Sequence, residues 1–576
     1  MTRSRLRAAI PWITLGLALA WNAWYVGRYG ANIPRADEWR DVSVLLGDQP
    51  LTLEWLWTPH SVHRIPLPRL VRFSLYRLSG RDFRSALVFN VAVMALASAL
   101  LIRVAGRLRG GPSALDAFFP LLLLGPGHYL TFLWAFQVQF ALSAALFFAA
   151  VALVVWKEGA PSPRALALLA LTLALQVLTG ANGLALALPL MIWLAIALVR
   201  LRTQRSSSWW MAAALCFTAA LAVVLYPAGL GAAGSMPPRW LAVQTFLQFV
   251  STGLAAGERL WLPRALILIS LTAFALFALV RAFRRSPSER WRASGLLACF
   301  AAVLLVAAFV AVGRAELTIG GGLHARYTTL AIAFVCLVYV TFVLYPSGGM
   351  ARIVPRLLVA LTVLTASVAT LHARGYGEFR LAQLVALESD AQRGLPVEVI
   401  AARNGPAIFQ YSQGTSTYLR RLLAHRSWPF EDYRPDPRVR AQVIARQTLP
   451  LDALTVRDLA RDGRGFRPTG PHPQILIRLP EAQQVAGIEL RYTLDGARGR
   501  LMRLEVRWDR AGDRDPTFPP GSRIGSFPVY ATSRPQTVTT WIYEAVDTVR
   551  IDPDRAALRL ETHEIVLLKL APDWTR

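Results

Sequence analysis

Residues 136–156 read FQVQFALSAALFFAAVALVVW, a run without a charged side chain. A helix needs about 20 mostly apolar residues to cross the hydrocarbon core of a bilayer, so this stretch predicts a transmembrane helix. Working outward, comparable runs occupy Leu6–Val26, Ala86–Val104, Leu115–Leu133, Ala165–Leu178 and Leu184–Leu201. Five more lie at Trp209–Leu230, Ala265–Val280, Leu296–Val312, Tyr327–Tyr345 and Leu357–Leu371. The chain therefore reads as a polytopic α-helical membrane protein with about eleven transmembrane helices. Composition agrees: of 576 residues 54% are hydrophobic and 17% charged, with a mean hydropathy of +0.39.

Charge sets the expected orientation. Arginine clusters at Arg3–Arg7, Arg103–Arg109, Lys157–Arg164, Arg200–Arg205, Arg281–Arg292 and Arg352–Arg356 fall in alternate loops. The positive-inside rule assigns these loops to the cytoplasm, and the long first loop (27–85) and the C-terminal tail to the periplasmic or extracellular side. The segment Leu241–Leu254 fits this alternation only as an interfacial or re-entrant helix. The net charge of +27 is thereby explained by membrane orientation, and nucleic acid is not an expected partner. Lys157 and Lys569 are the only lysines, an arginine bias of the kind GC-rich bacterial genomes show; with the apolar spans, the expected location is a bacterial inner (plasma) membrane. The N-terminal basic and apolar run lacks a small-x-small cleavage site before Asn32 and reads as a retained signal-anchor helix. Cys216, Cys299 and Cys336 all lie in apolar runs, which argues against a disulfide framework or a zinc site.

Beyond the last span the pattern changes. Residues 1–375 form the expected membrane domain. Residues 376–465 are a mixed helical and linker region, with helical periodicity in FRLAQLVALESDAQ and TSTYLRRLLAH. From 466 to 576 short alternating runs such as QILIRL, LMRLEVRW, TVTTWIYE and EIVLLKL, separated by Gly, Pro and Asp, predict a β-sandwich.

The chemistry concentrates in the first loop. Asp37 and Glu38 are adjacent, so their side chains diverge on a helix or a strand and only one would serve as base. The plainer reading is a helix cap, with Asp37 placed to cap a helix running into WRDVSVLL. In TPHSVHRIPLPRLVR, His60 and His63 share a face if the segment is helical, with Arg64 beside His60. Two such histidines can ligate a metal. No third ligand is fixed by spacing, so a divalent metal is compatible with the sequence without being indicated, and no cofactor is called for. Hydrogen bonding to a sugar or phosphate, with Arg64 as a planar two-pronged donor, is the better use. Pro59, Pro66 and Pro68 argue for a shaped loop rather than one helix. Trp39, Trp55 and Trp57 read as interface anchors or as stacking surfaces for sugar rings.

A second constellation is GRAELTIGGGLHARYTTL, residues 313–330, on the same expected side. Arg314, His324 and Arg326 there oppose the positive-inside trend, which binding of an anionic phosphate explains; snorkelling to head groups is the alternative. His128, Gln137, Gln139 and Asn182 lie in loops opening to that side and are candidate cavity-lining residues.

The string ADEW, then HSVHRIPLPRLV, GRDFR and Asn90, followed far downstream by ARYTT, resembles bacterial class C (GT-C) membrane glycosyltransferases over roughly residues 1–375. The resemblance implies a polyprenyl-phosphate-linked sugar as donor and a cell-envelope glycan, lipid or protein as acceptor. It implies that Asp37, with Glu38 as the alternative, is the catalytic carboxylate. It also implies a phosphate ligand at Arg326, beside Tyr327, and a carbohydrate-binding-like tail. Competing readings are a transporter or flippase of lipid-linked glycans, and a polymerase or ligase. A pump should carry charged residues along a path within its spans, whereas these spans are nearly free of carboxylates.

Overall fold

The computed structural model describes residues 3–570, apart from 62, 203–205, 228–235, 255–259, 316–319, 347–348, 410–413, 437–442, 452–453, 464, 471–472, 497–500, 511–522, 531 and 555–556. The end of the expected span Trp209–Leu230, part of the Arg200–Arg205 cluster and Glu316–Ile319 of the late loop lie outside the described residues. The chain divides into two compact units: residues 1–31 with 43–377, and residues 32–42 with 378–576.

The first unit is helical. Its helices are α1 (Arg3–Tyr29), α2 (Pro66–Leu78), α3 (Ser85–Arg109), α4 (Val138–Val155), α5 (Pro163–Val177), α6 (Ala181–Arg200) and α7 (Ser207–Leu225). They continue with α8 (Arg239–Ser251), α9 (Trp261–Arg285), α10 (Arg290–Arg314), α11 (Thr328–Leu344) and α12 (Met350–Gln392). Among the described residues nine helices are long and apolar enough to cross a membrane: α1, α3, α4, α6, α7, α9, α10, α11 and α12. The protein is thus an integral multi-pass membrane protein.

Two of the eleven expected spans depart from one long helix. The stretch Leu115–Leu133 breaks into Phe118–Leu123 and Tyr129–Phe132 around Pro126, flanked by Gly125 and Gly127. Proline lacks the N–H that would continue the ladder. The stretch still runs the length of the unit, because Asp116 pairs with Arg109 at one end and Asn90 donates to the carbonyl of Thr131 at the other. Helix α5 has 15 residues, about 22 Å. It also reaches both ends: Gly159, just before it, bonds Ser288, and Leu67 bonds Leu178 just after it. Helix α8 is 13 residues long and is not among the spanning helices.

The helices pack through aliphatic and phenyl side chains, Phe118, Phe119, Phe147, Phe148, Val335 and Leu337 among them, all nearly fully buried. Gly295 permits one close approach, since a Cβ there would lie 2.4 Å from Val154 Cγ1 and 3.4 Å from the Trp193 ring. At the end of the unit reached by the C-terminus of α3, Arg109 grips both oxygens of Asp116 at 2.8 Å. The Tyr339 hydroxyl donates to the same carboxylate at 2.9 Å.

The second unit holds the C-terminal part of α12, α13 (Val397–Ile408), α14 (Thr415–Ala424) and nine strands. The strands are β1 (Val443–Thr448), β2 (Thr455–Arg457), β3 (Leu459–Asp462), β4 (Gly465–Pro468), β5 (Gln474–Gly496), β6 (Leu501–Arg510), β7 (Arg523–Tyr530), β8 (Thr532–Asp552) and β9 (Ala557–Leu570). One finding extends the sequence reading and one corrects it. The run FRLAQLVALESDAQ is helical as expected, and α12 continues through it as one 43-residue helix. The described strands also form a single antiparallel sheet, ordered β3-β4-β9-β5-β8-β6-β7 with β1 on β9 and β2 on β5, in place of the two sheets of a sandwich. The long strands β5 and β8 change register at Arg478/Gln483, Val485/Gly487 and Tyr492/Leu494. Such bulges bend a strand, and the sheet curves into a half-barrel around Ile475, Leu490, Tyr492, Trp508, Val549 and Leu567. The sheet begins before residue 466, with β1 to β3 and the first residue of β4 falling in 376–465.

A buried ionic cluster ties α13 to this sheet. Arg403 bonds Asp390 and Glu544, each at 3.0 Å, and Trp508 donates to the other oxygen of Glu544.

Candidate functional site

The acidic pair sits in the second unit, on the segment 32–42. Ala36 to Arg40 form a 3₁₀ turn, which Ala36 enters at a φ of +48°. A non-glycine residue in that region stores strain, of a kind that clusters at functional sites. The backbone N–H of Glu38 donates to the Arg35 carbonyl, and the Glu38 carboxylate accepts from the Arg35 N–H at 2.9 Å. Glu38, 4% exposed, therefore performs the capping role that the sequence suggested for Asp37. Asp37 is half-buried and points away from it, successive residues of a 3₁₀ turn lying about 120° apart. Trp39 anchors the segment: its ring stacks on Tyr418 at 4.9 Å, and its Nε1 donates to the Ile408 carbonyl at 2.9 Å.

The remaining candidates lie in the first unit, at the end opposite the Arg109–Asp116 pair. His60 and His63 are not on a helix. Their backbones exchange hydrogen bonds in an isolated β-bridge, with Ser61 between them at a φ of +57°. Pro59 precedes the turn and Pro66 opens α2, as rings with a fixed φ favour. The two imidazoles approach to 5.8 Å between centroids, and His60 packs on Phe136 at 4.7 Å. Arg64 is committed locally: its guanidinium donates to the carbonyls of Trp57 and Tyr226, and its backbone N–H donates to the Tyr226 hydroxyl. The Trp57 and Trp55 rings cover Arg64 and Arg69, at 5.4 and 5.1 Å.

The late loop is built on its glycines. Gly320 adopts a φ of +76°, and a Cβ on Gly322 would lie 2.3 Å from the Thr245 carbonyl oxygen, which lets this backbone close onto α8. Arg314 ends α10 and its main chain backs Gly321. His324 is exposed, and its Nδ1 accepts from the Arg326 N–H. Arg326 is half-buried over the Tyr327 ring, with Nη2 on the Tyr327 hydroxyl at 3.4 Å and a buried Nε that has no partner among the described residues.

The first turn of α4 joins these loops. Phe136, just before it, touches His60 and Arg72, while Phe140, four residues on, touches Tyr327 at 6.2 Å. Beside them Gln139, Asn182 and Ile65 converge around Gly180, where a Cβ would lie 3.5, 3.0 and 3.4 Å from their side chains. Asn182 donates to Ser143, which pairs with Thr179. His128 and Thr131 both bond Thr329, the residue after Thr328 at the start of α11. Between α1 and α3 lies a cavity of about 650 Å³, lined by Leu19, Ala23, Val26, Val88 and Val91 and rimmed by the ion pair Asp82–Arg84.

His60, His63, Arg64, Arg314, His324, Arg326 and Tyr327 thus belong to one end of the helical unit, and Asp37 and Glu38 to the other unit. Among the described residues no group of three or more His, Cys, Asp or Glu stands close enough to hold a metal ion.

No protein-family model and no curated protein matches the sequence. By structure, the chain aligns with solved arabinosyltransferases. A mutant of arabinofuranosyltransferase AftD from mycobacteria aligns at 12% identity over 96% of this chain and 60% of that one, with a TM-score of 0.32. Arabinosyltransferase EmbB from Mycobacterium smegmatis aligns at 13% identity over 99% of this chain and 65% of that one, with a TM-score of 0.28. The chain spans less than two thirds of the length of these proteins.

Sequence reasoning missed Arg69, Arg72 and Tyr226. Arg69, Arg72 and Tyr76 follow one another at i, i+3 and i+7 on α2, and all three are buried. That spacing on an amphipathic helix was the available signal. Tyr226 had none, because its partner Arg64 lies 162 residues away.

Proposed function

We propose that this chain is an inverting membrane glycosyltransferase, which moves a sugar from a polyprenyl-phosphate donor to a cell-envelope acceptor on the periplasmic side. The observation that carries the reading is the gathering of arginine, histidine and amide side chains on the first turn of α4, at one end of spans nearly free of carboxylates. An anionic, hydroxyl-rich head group at a membrane surface calls for that set of donors. The apolar cavity between α1 and α3 has the character expected of a prenyl-chain site. The arginine-rich loops at the opposite end face the cytoplasm in this reading.

The chemistry follows from the donor. The anomeric carbon–oxygen bond to phosphate breaks while a new bond forms from the acceptor oxygen on the opposite face, which inverts the configuration. The acceptor hydroxyl gives its proton to the Asp37 carboxylate, which Glu38, occupied in capping, leaves as the base. The phosphate leaves with the bonding electron pair and an added negative charge, which Arg326 stabilises. Arg64 holds the loop, given its carbonyl partners.

The test is sugar transfer by purified full-length protein in lipid, offered pentosyl and hexosyl polyprenyl phosphates with envelope acceptors. Asp37→Asn is expected to lower turnover about 10²–10⁴-fold with unchanged thermal unfolding. Full activity of Asp37→Asn would move the base elsewhere. Movement of labelled lipid across the bilayer without transfer would replace the enzyme by a transporter.

A further inference from the structure

Buried polar side chains in folded proteins nearly always find hydrogen-bond partners, and an exception calls for an explanation such as a missing ligand. Gln137 is 0% exposed, and neither its Nε2 nor its Oε1 has a partner among the described residues. The same holds for Gln139 Oε1, Thr328 Oγ1 and Arg326 Nε. They lie on two segments that meet at the Phe140–Tyr327 contact. Gln137 and Gln139 lie between Phe136, which meets His60, and Phe140, which meets Tyr327, and Tyr327 separates Arg326 from Thr328.

The chemistry of the set is specific. An amide offers donors and acceptors without charge, so it serves neighbouring hydroxyls, each of which also donates and accepts. It does not compete with a phosphate for the arginine. We propose that Gln137 and Gln139 form the subsite for the hydroxyl groups of the monosaccharide, beside a phosphate held at Arg326. This rests on the transferase reading and adds the residues that recognise the sugar ring rather than its carrier. Leucine in place of Gln137 would fill similar space and remove an unpaired amide, so the substitution should be tolerated by the fold.

The experiment measures binding of a polyprenyl-phosphate sugar and of bare polyprenyl phosphate to the full chain in nanodiscs, for wild type, Gln137→Leu and Gln139→Leu. Thermal unfolding without ligand is recorded alongside. The expected result is a loss of about tenfold or more in affinity for the sugar lipid, unchanged affinity for the bare lipid and an unchanged or raised unfolding temperature. Unchanged sugar-lipid affinity would overturn the subsite, and show that the amides are met by water. Equal losses for both lipids, or a lowered unfolding temperature, would also overturn it and make the glutamines structural. Wild type that binds neither lipid would overturn the transferase reading itself.

Discussion

Two buried polar groups at opposite ends of the helical unit, Asp116 and Gln137, are partnered in opposite ways. At the Arg109 end, Asp116 is 1% exposed, and both its oxygens are held by arginine, with a tyrosine added. At the α4 end, amide and hydroxyl groups just as deeply buried lack partners among the described residues. In the second unit Arg403 repeats the first pattern, meeting two carboxylates and a backbone carbonyl. An ion that is buried and fully partnered fixes structure, and removing one partner leaves the other stranded. A buried group without a partner costs stability, because its lost hydration is not replaced, and it can still bond something that arrives later. The contrast separates partnered from unpartnered groups inside one bundle.

Three substitutions test it. Arg109→Ala should cause the largest effect, leaving the Asp116 carboxylate, 1% exposed, without its cation; a loss of about 3–5 kcal/mol is expected. Thermal unfolding of the full chain in lipid reads this, and the surviving folded fraction should bind donor normally. A stable Arg109→Ala protein would erase the distinction between the ends. Tyr339→Phe removes one hydrogen bond to a charged group, expected to cost about 1.5–3 kcal/mol by the same measurement. Gln176 stands between the two patterns: its Nε2 donates to the Ser143 carbonyl while its Oε1 has no partner among the described residues. Gln176→Leu should shift stability by less than about 1 kcal/mol, the lost bond being offset by relief of the unpaired oxygen. A larger loss would place Gln176 with the scaffold.

Much of the helical unit was legible because hydropathy reports directly on the bilayer. What hydropathy does not report is backbone continuity. Leu115–Leu133 is mostly apolar, yet Pro126 and its flanking glycines interrupt it. Likewise α12 runs on past Leu371 because nothing in FRLAQLVALESDAQ stops a helix, although its composition changes. In the sheet, alternation was visible strand by strand. Whether strands form one sheet or two depends on partners and bulges, such as those that bend β5, and these have no local signature.

The candidate site divides similarly. Residue types that bind phosphate or sugar were readable from the sequence, as was the divergence of Asp37 and Glu38. Commitments made across the chain were not. Arg64 is engaged by Tyr226, and the two histidines meet through a tight bridge where spacing suggested a helical face. Which carboxylate caps the 3₁₀ turn depends on a carboxylate-to-backbone bond that either residue type could make.

The anchoring of Trp39 also has a consequence in time. Its indole donates to a carbonyl 369 residues further along the chain. At a synthesis rate of about 5–20 residues per second, roughly 20–70 seconds pass between the emergence of the two partners from the ribosome. During that interval the acidic segment has left the first span, and the surface that will cover its tryptophan does not yet exist. The segment is therefore completed late, a step that depends on the whole membrane unit having been inserted beforehand.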